Sequence, residues 1–131
     1  MTGNDPERTK MPALAVIAAP SDSLRYSLRA LLAGLPQITT VQSVEDTRSL
    51  LAALTAASLR LVVLDVNLSG QDTATLLTQI ATLAPHACSV VLVDQIAQQQ
   101  TLQTTSADLV LLKGFPAAEL FTLLERLLTQ E

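Results

Sequence analysis

Asp65 and Lys113 are the residues of this chain whose types and positions could do chemistry together. Asp65 closes the apolar run Leu61 to Asp65, and Lys113 follows the run Leu109 to Leu112. A carboxylate and an ammonium at the ends of two buried strands converge on one crevice. There the carboxylate is placed to act as a nucleophile, and the lysine supplies positive charge to an added phosphate. The plainer alternative is an inherited strand-end acid, tolerated because it is exposed, with Lys113 as its ion-pair partner. An exposed pair of that kind is worth about 0–1 kcal/mol.

The elements that must hold these residues follow from hydrophobic periodicity. Leu14 to Ala18 reads as a buried strand. Pro20-Ser21-Asp22-Ser23 supplies turn and N-cap chemistry, and Leu24, Leu28, Leu31, Leu32 and Leu35 form one helical stripe. Gly34 and Pro36 end that helix. Ile38 to Gln42 suits an outer strand. Ser43 to Asp46 opens a second helix carrying Leu50, Leu51, Leu54 and Ala57. Asp72 or Thr73 caps a third, with Leu76, Leu77, Ile80 and Leu83, and Pro85 stops it. Ser89 to Val93 is another buried strand. Ile96 to Thr105 is the least marked helix, and its run Gln98-Gln99-Gln100 reads as a solvated face. Leu109 to Leu112 is the fifth strand. Phe115-Pro116 opens a last helix with Leu120, Phe121, Leu124, Leu127 and Leu128 on its apolar face.

Strand and helix thus alternate five times without a repeat or an internal linker. Four strands are near-continuous Val/Leu/Ile runs, as a parallel sheet covered on both faces requires. Right-handed crossovers then favour a single doubly wound α/β sheet of order 2-1-3-4-5. Ligands of such a sheet bind beyond the carboxyl ends of its strands, which nominates Ala18 to Asp22, Asp65 to Gly70, Val93 to Gln95, and Lys113 to Gly114. Residues 1–12 read as a polar, flexible leader and residues 13–131 as the one domain.

Composition narrows the function classes. With 131 residues, 49% of them hydrophobic and 15% charged, the chain supports one sizeable core and is not a disordered segment. A net charge of −4 and 2% aromatic residues argue against nucleic-acid binding, which needs clustered cations and stacking platforms. The one cysteine, Cys88, excludes an internal disulfide and a multi-thiolate metal site, and reads as a buried inert thiol. His86 lies beside Pro85 with no second ligand near it, and reads as solvated. No apolar stretch is long enough to cross a membrane and no signal-peptide pattern is present, so a cytoplasmic location is expected. The sequence carries no Ser/His/Asp set and no cluster of metal ligands, so an independent enzyme is not expected. A flavin or small-molecule module on the same sheet lacks both stacking aromatics and a G-x-G-x-x-G loop.

The stretch Asp65-Val66-Asn67-Leu68-Ser69-Gly70-Gln71-Asp72 closely resembles the phosphoacceptor loop of response-regulator receiver domains, the CheY-like family. Ser106 to Lys113 resembles the end of that family's helix 4 and its strand 5, with Lys113 matching the family's lysine. Leu28-Arg29-Ala30-Leu31-Leu32 is similar to its first helix. The resemblance spans about Ala13 to Leu128 and implies the flavodoxin-like, CheY-like fold. It makes Asp65 the candidate phosphoacceptor, with Lys113 and Asn67 as phosphate-contacting candidates. The family's surface of helix 4, strand 5 and helix 5 nominates Gln95 to Gln130 as a partner face, with Leu109, Val110 and Leu111 at its centre.

The departures from the family pattern carry as much information. The acidic pair that helps hold Mg²⁺ at the end of strand 1 is replaced by Ala19 and Pro20. Asp22 is acidic but lies two residues further on, and reads as a helix cap rather than a metal ligand. The Thr or Ser of strand 4 is Val93, and the small residue after it is Asp94. Strand 5 has Val110 where the family often has an aromatic residue, and Gly114 where it usually has Pro. Phosphoryl transfer leans on a divalent ion, and Mg²⁺ prefers one or two carboxylates. Here Asp65, the Asn67 carbonyl and water remain, with Asp22 and Asp94 as possible rescuers, so Mg²⁺ binding is expected to be weak at best and no other cofactor is expected. If Asp94 faces the site, it repels a phosphoryl dianion.

The leading expectation is an atypical receiver, a pseudo-receiver, that signals by binding a protein such as a histidine kinase, an output domain or a second copy of itself. The alternative is a phosphorylatable two-component receiver that uses Asp65. Neither membrane nor nucleic acid is an expected partner of this domain.

Overall fold

The five apolar runs become five parallel strands in one sheet of order β2-β1-β3-β4-β5, the order expected from the sequence. The computed structural model describes residues 12–129 apart from Ser69 and Gln71. All of the expected leader except Pro12 lies outside the described residues. The strands are β1 (Leu14–Ala18), β2 (Thr40–Val44), β3 (Leu59–Asp65), β4 (Cys88–Val93) and β5 (Leu109–Leu112). The helices are α1 (Asp22–Leu32), α2 (Thr47–Ala53), α3 (Thr73–Leu83), α4 (Ile96–Leu102) and α5 (Ala117–Thr129).

β1 is buried at all five positions, and β3 and β4 at all but Arg60 and Cys88, because helices cover both faces of the sheet. The side chains sort into two cores by strand alternation. Val16, Ala18, Val62, Leu64, Val91 and Val93 share one core with Leu50 of α2, Leu76, Leu77 and Ile80 of α3, and Leu102 of α4. Ala15, Ile17, Leu61, Val63, Val90 and Leu92 share the other with Leu28 and Leu32 of α1 and Leu120, Leu124 and Leu128 of α5. The period-two alternation of strands and the 3.6-residue period of helices thus meet on each face.

β2 begins two residues later than expected and extends to Val44. Ile38 is buried before the strand begins, and its N–H bonds the Leu35 carbonyl in a turn rather than joining the sheet. The weakly marked helix is real but short. Its glutamines are not a uniformly solvated face: Gln98 and Gln99 are half-buried, and only Gln100 of the three is exposed.

Candidate functional site

Register brings the nominated strand ends to one edge. Ala18 pairs with Leu64, so Ala19 lies level with Asp65. Asp65 pairs with Leu92, and Val93 pairs with Leu112. The N–H of Val66 bonds the Leu92 carbonyl at 2.9 Å, and the N–H of Lys113 bonds the Val93 carbonyl at 2.8 Å. The sheet pairing therefore continues one residue past β3 and β5. It fixes the backbones that carry Asp65, Asp94 and Lys113.

The structure joins Asp65, Lys113, Asn67 and Asp94 in one hydrogen-bonded cluster. Lys113 Nζ lies 2.7 Å from Asp65 Oδ1 and 3.1 Å from Asp94 Oδ1. The backbone N–H of Asn67 donates to Asp65 Oδ1 at 2.9 Å. Its side-chain amide donates to Asp94 Oδ2 at 2.8 Å. Asp65 is 3% exposed, which corrects the alternative of an exposed, tolerated acid. It is the last residue of the central strand β3, where water has little access.

Electrostatics follow this geometry. Burial alone would lower the Lys113 pKa, but the hydrogen bonds and charges of Asp65 and Asp94 outweigh it and hold the ammonium above its ordinary value. The hydrogen bond from Asn67, and then that from Lys113, pull the Asp94 carboxyl below its ordinary value. Asp94 therefore neither turns away to solvent nor stands unpaired against Asp65.

The loop after β3 is held by short-range constraints. The Leu68 N–H bonds the Asp65 carbonyl at 3.0 Å, and Leu68 is buried. Gly70 has φ of +115°, and a Cβ there would lie 2.9 Å from Cβ and Oγ1 of Thr47. Both facts call for glycine. Gly114 has φ of +86°, a backbone that proline's fixed φ near −65° cannot adopt. That accounts for glycine after Lys113 in this chain.

The other nominated positions fall elsewhere. Ala19 is buried with no polar side chain, Pro20 is exposed, and Val93 is fully buried in the core. The expectation that Asp22 caps a helix is corrected: Ser21 is the N-cap of α1, its hydroxyl accepting from the Leu24 N–H at 3.2 Å. Asp22 is the first helical residue and pairs with Arg25 one turn on, where the helix dipole also favours an acid. Val110 and Leu111 are 7% and 8% exposed and belong to opposite cores, so as side chains they do not form the centre of a partner face. Leu109 is half-buried against the α1/α5 core. Covering helices bury the two central side chains of β5, one on each face, while Leu109 and Leu112 at its ends stay half-buried. Cys88 is half-buried rather than buried, and His86 is exposed.

Arg25 was not singled out from the sequence, and Gln98 and Gln99 were read only as part of a solvated face. Arg25 Nη1 donates to the Ala19 carbonyl at 2.7 Å, which fixes a guanidinium at the end of β1. Its spacing of three from Asp22 was the available signal. Gln98 Oε1 accepts from the backbone N–H groups of Asp94 and Gln95 at 2.9 and 3.0 Å. Gln99 Nε2 donates to the Val110 carbonyl at 2.9 Å. A run of three glutamines gives no hint of three different environments.

Among the described residues, no group of three or more His, Cys, Asp or Glu side chains is arranged to hold a metal ion, and no helix is long and apolar enough to cross a membrane. Oδ1 of Asp65 already accepts from Lys113 and from Asn67.

No protein-family model matches the sequence, and no curated protein matches it. Solved structures do. A CheY-like response regulator receiver domain protein from Methanospirillum hungatei superposes with a TM-score of 0.77 at 15% identity, covering 90% of this chain and 94% of that one. The chemotaxis response regulator CheY4 of Vibrio cholerae gives 0.75 at 19% identity, over 88% and 98% of the two chains. A response regulator from Burkholderia pseudomallei, solved with a phosphorylated aspartic acid, calcium ion and citrate, gives 0.71 at 17% identity, over 84% of this chain and 65% of that one. The chain has the fold of the CheY-like receiver domains.

Proposed function

We propose that this domain is a pseudo-receiver: a cytoplasmic signalling module that works by binding another protein, without magnesium-dependent phosphorylation of Asp65. The observation that carries the reading is the pairing of Ala18 with Leu64, which sets Ala19 level with Asp65 and Pro20 next after it, with a carboxylate at neither position. A magnesium ion favours carboxylate oxygens and an octahedral shell. In this cluster Asp65 Oδ1 is committed to Lys113 and Asn67, Asp22 is paired with Arg25, and Asp94 is held by Lys113 and Asn67. The residues present do not suit the ion.

The Burkholderia pseudomallei regulator carries a phosphorylated aspartic acid. The same reaction here would also lack a hydroxyl at Val93, which is fully buried. Partner binding is supported by the exposed side of α4, where Ile96 is 60% exposed. A histidine kinase, an output domain or a second copy of this chain are the partner classes that suit a receiver fold.

The test is a ¹⁵N NMR titration of the protein with magnesium and then beryllofluoride. We expect the amides of Asp65, Val66, Asn67 and Gly114 to stay in place. Saturable movement of those resonances would establish Asp65 as a working phosphoacceptor and overturn the proposal.

A further inference from the structure

We infer that the Asp94 carboxylate is an internal ligand, filling an oxyanion seat made by Lys113 Nζ and Asn67 Nδ2 and tying that seat to the start of α4. The inference rests on the reading of Asp65 as a non-acceptor and adds how the site is occupied instead.

The two donors come from different strand ends, Lys113 after β5 and Asn67 after β3. Asp94 meets each with a different oxygen: Oδ1 at 3.1 Å from Nζ, and Oδ2 at 2.8 Å from the amide nitrogen. A carboxylate that spans two donors in this way satisfies the requirement any small oxyanion would meet at this place. The side chain is 42% exposed, so water was open to it, and its position is set by the donors rather than by confinement.

The seat is continuous with α4. The backbone N–H of Asp94 and that of Gln95 converge on Gln98 Oε1. Gln99 then reaches the Val110 carbonyl on β5. The occupant therefore holds the β4–α4 junction, and through it the first turn of α4, with no group added from outside. With Asp65 and Asp94 negative and Lys113 positive, the cluster keeps one net negative charge, which disfavours a second anion.

The chemistry the seat would accept, once vacated, is a small oxyanion such as acetate or phosphate. The test uses the whole chain in buffer free of magnesium and phosphate, with Asp94→Ala and Asp94→Asn beside the wild type. Both variants change one exposed side chain, and the asparagine variant keeps its size. We expect the side-chain amide resonances of Asn67 to move in both variants. Amide exchange at Gln95 should rise about threefold or more, since a half-exposed charge-assisted contact is lost. Excess acetate should return the Asn67 resonances of Asp94→Ala towards their wild-type positions and leave the wild type unmoved.

Asn67 resonances that stay in place in both variants would overturn the inference. So would an Asp94→Ala protein indifferent to acetate, or a wild type that responds to acetate equally. None of these outcomes bears on Asp65 as acceptor, because neither magnesium nor a phosphoryl analogue is present. A beryllofluoride response in the wild type, read in the separate magnesium titration, would refute the earlier proposal and not the contacts Asp94 makes in the absence of that ligand.

Discussion

Replacing Lys113 by Met isolates what the ammonium does for the fold. Asp65 is 3% exposed, and its Oδ1 accepts from Lys113 Nζ at 2.7 Å and from the Asn67 N–H at 2.9 Å. The substitution keeps the length and apolar stem of the side chain, so lost packing is small. What remains is a buried carboxylate with one backbone donor. Removing one partner of a buried pair typically costs about 3–5 kcal/mol. Lys113 is a quarter exposed and the Asn67 bond survives, so the expected cost is about 2–4 kcal/mol. Asp65→Asn should cost less, about 1–2 kcal/mol, because it removes the buried charge along with its partner's attraction. The double variant should then lie close to Asp65→Asn alone, so the coupling equals the cost of Lys113→Met, about 2–4 kcal/mol. Urea unfolding of the four proteins measures this, provided the slope of free energy against urea is shared. A loss below about 0.5 kcal/mol for Lys113→Met, with coupling indistinguishable from zero, would refute the view that this ammonium is the counter-charge Asp65 requires.

The remaining expectations concern pH, a cap and the core. Lys113 has a raised folded pKa, so its contribution is fully present below its ordinary value of 10.5 and is lost as pH rises through the higher folded value. Asp94 has a lowered folded pKa, so its contribution is present above its ordinary value of 3.8 and is lost as pH falls through the lower folded value. The stability gap between wild type and Lys113→Met, measured by urea midpoints across pH, should be flat between these limits and should narrow on the alkaline side. Asp72 is the N-cap of α3, its carboxylate accepting from the Thr75 N–H at 3.1 Å, and Asp72→Ala should cost about 1 kcal/mol in urea unfolding. Leu124 is fully buried between α5 and the sheet, and Leu124→Ala should cost about 2–5 kcal/mol by the same measurement.

The sheet was legible in the sequence because its signal is redundant. β5 was delimited as Leu109 to Leu112 from a run of four apolar residues between Asp108 and Lys113, and it is found there. Asp65 and Lys113 were legible as a pair because a polar residue that ends an apolar strand is forced to the sheet's edge. β2 was placed too early because Ile38, although β-branched and buried, serves a turn, and propensity does not separate turn burial from strand burial. The environment of Asp94 was not legible. Whether a carboxylate after β4 turns outward or inward depends on donors from two other strand ends, Asn67 and Lys113, and no local pattern encodes that. The burial of Val110 and Leu111 was missed because they were nominated from the family's partner surface and not from their own pattern, and α4 and α5 cover the two faces of β5.

On the proposed reading, Ala19 and Pro20 at the end of β1 and Asp94 after β4 make physical sense together. In an acidic metal site, the negative oxygens around an acceptor are balanced by an ion that arrives from solution. Here neither Ala19 nor Pro20 carries a carboxylate, and Asp94 does. The positive charge is covalently attached: Lys113 bridges Asp65 and Asp94, and Arg25 is fixed on the Ala19 carbonyl. An ion that comes and goes makes a site responsive to its concentration and to the charge of what it helps bind. An ammonium on a side chain responds to neither between its own titration and that of its partners. On the proposed reading, the cluster therefore holds one arrangement of the β3, β4 and β5 ends throughout the physiological pH range. Whatever α4 presents to a partner is then set by the sequence at Asp94, Gln98 and Gln99 rather than by a phosphoryl donor.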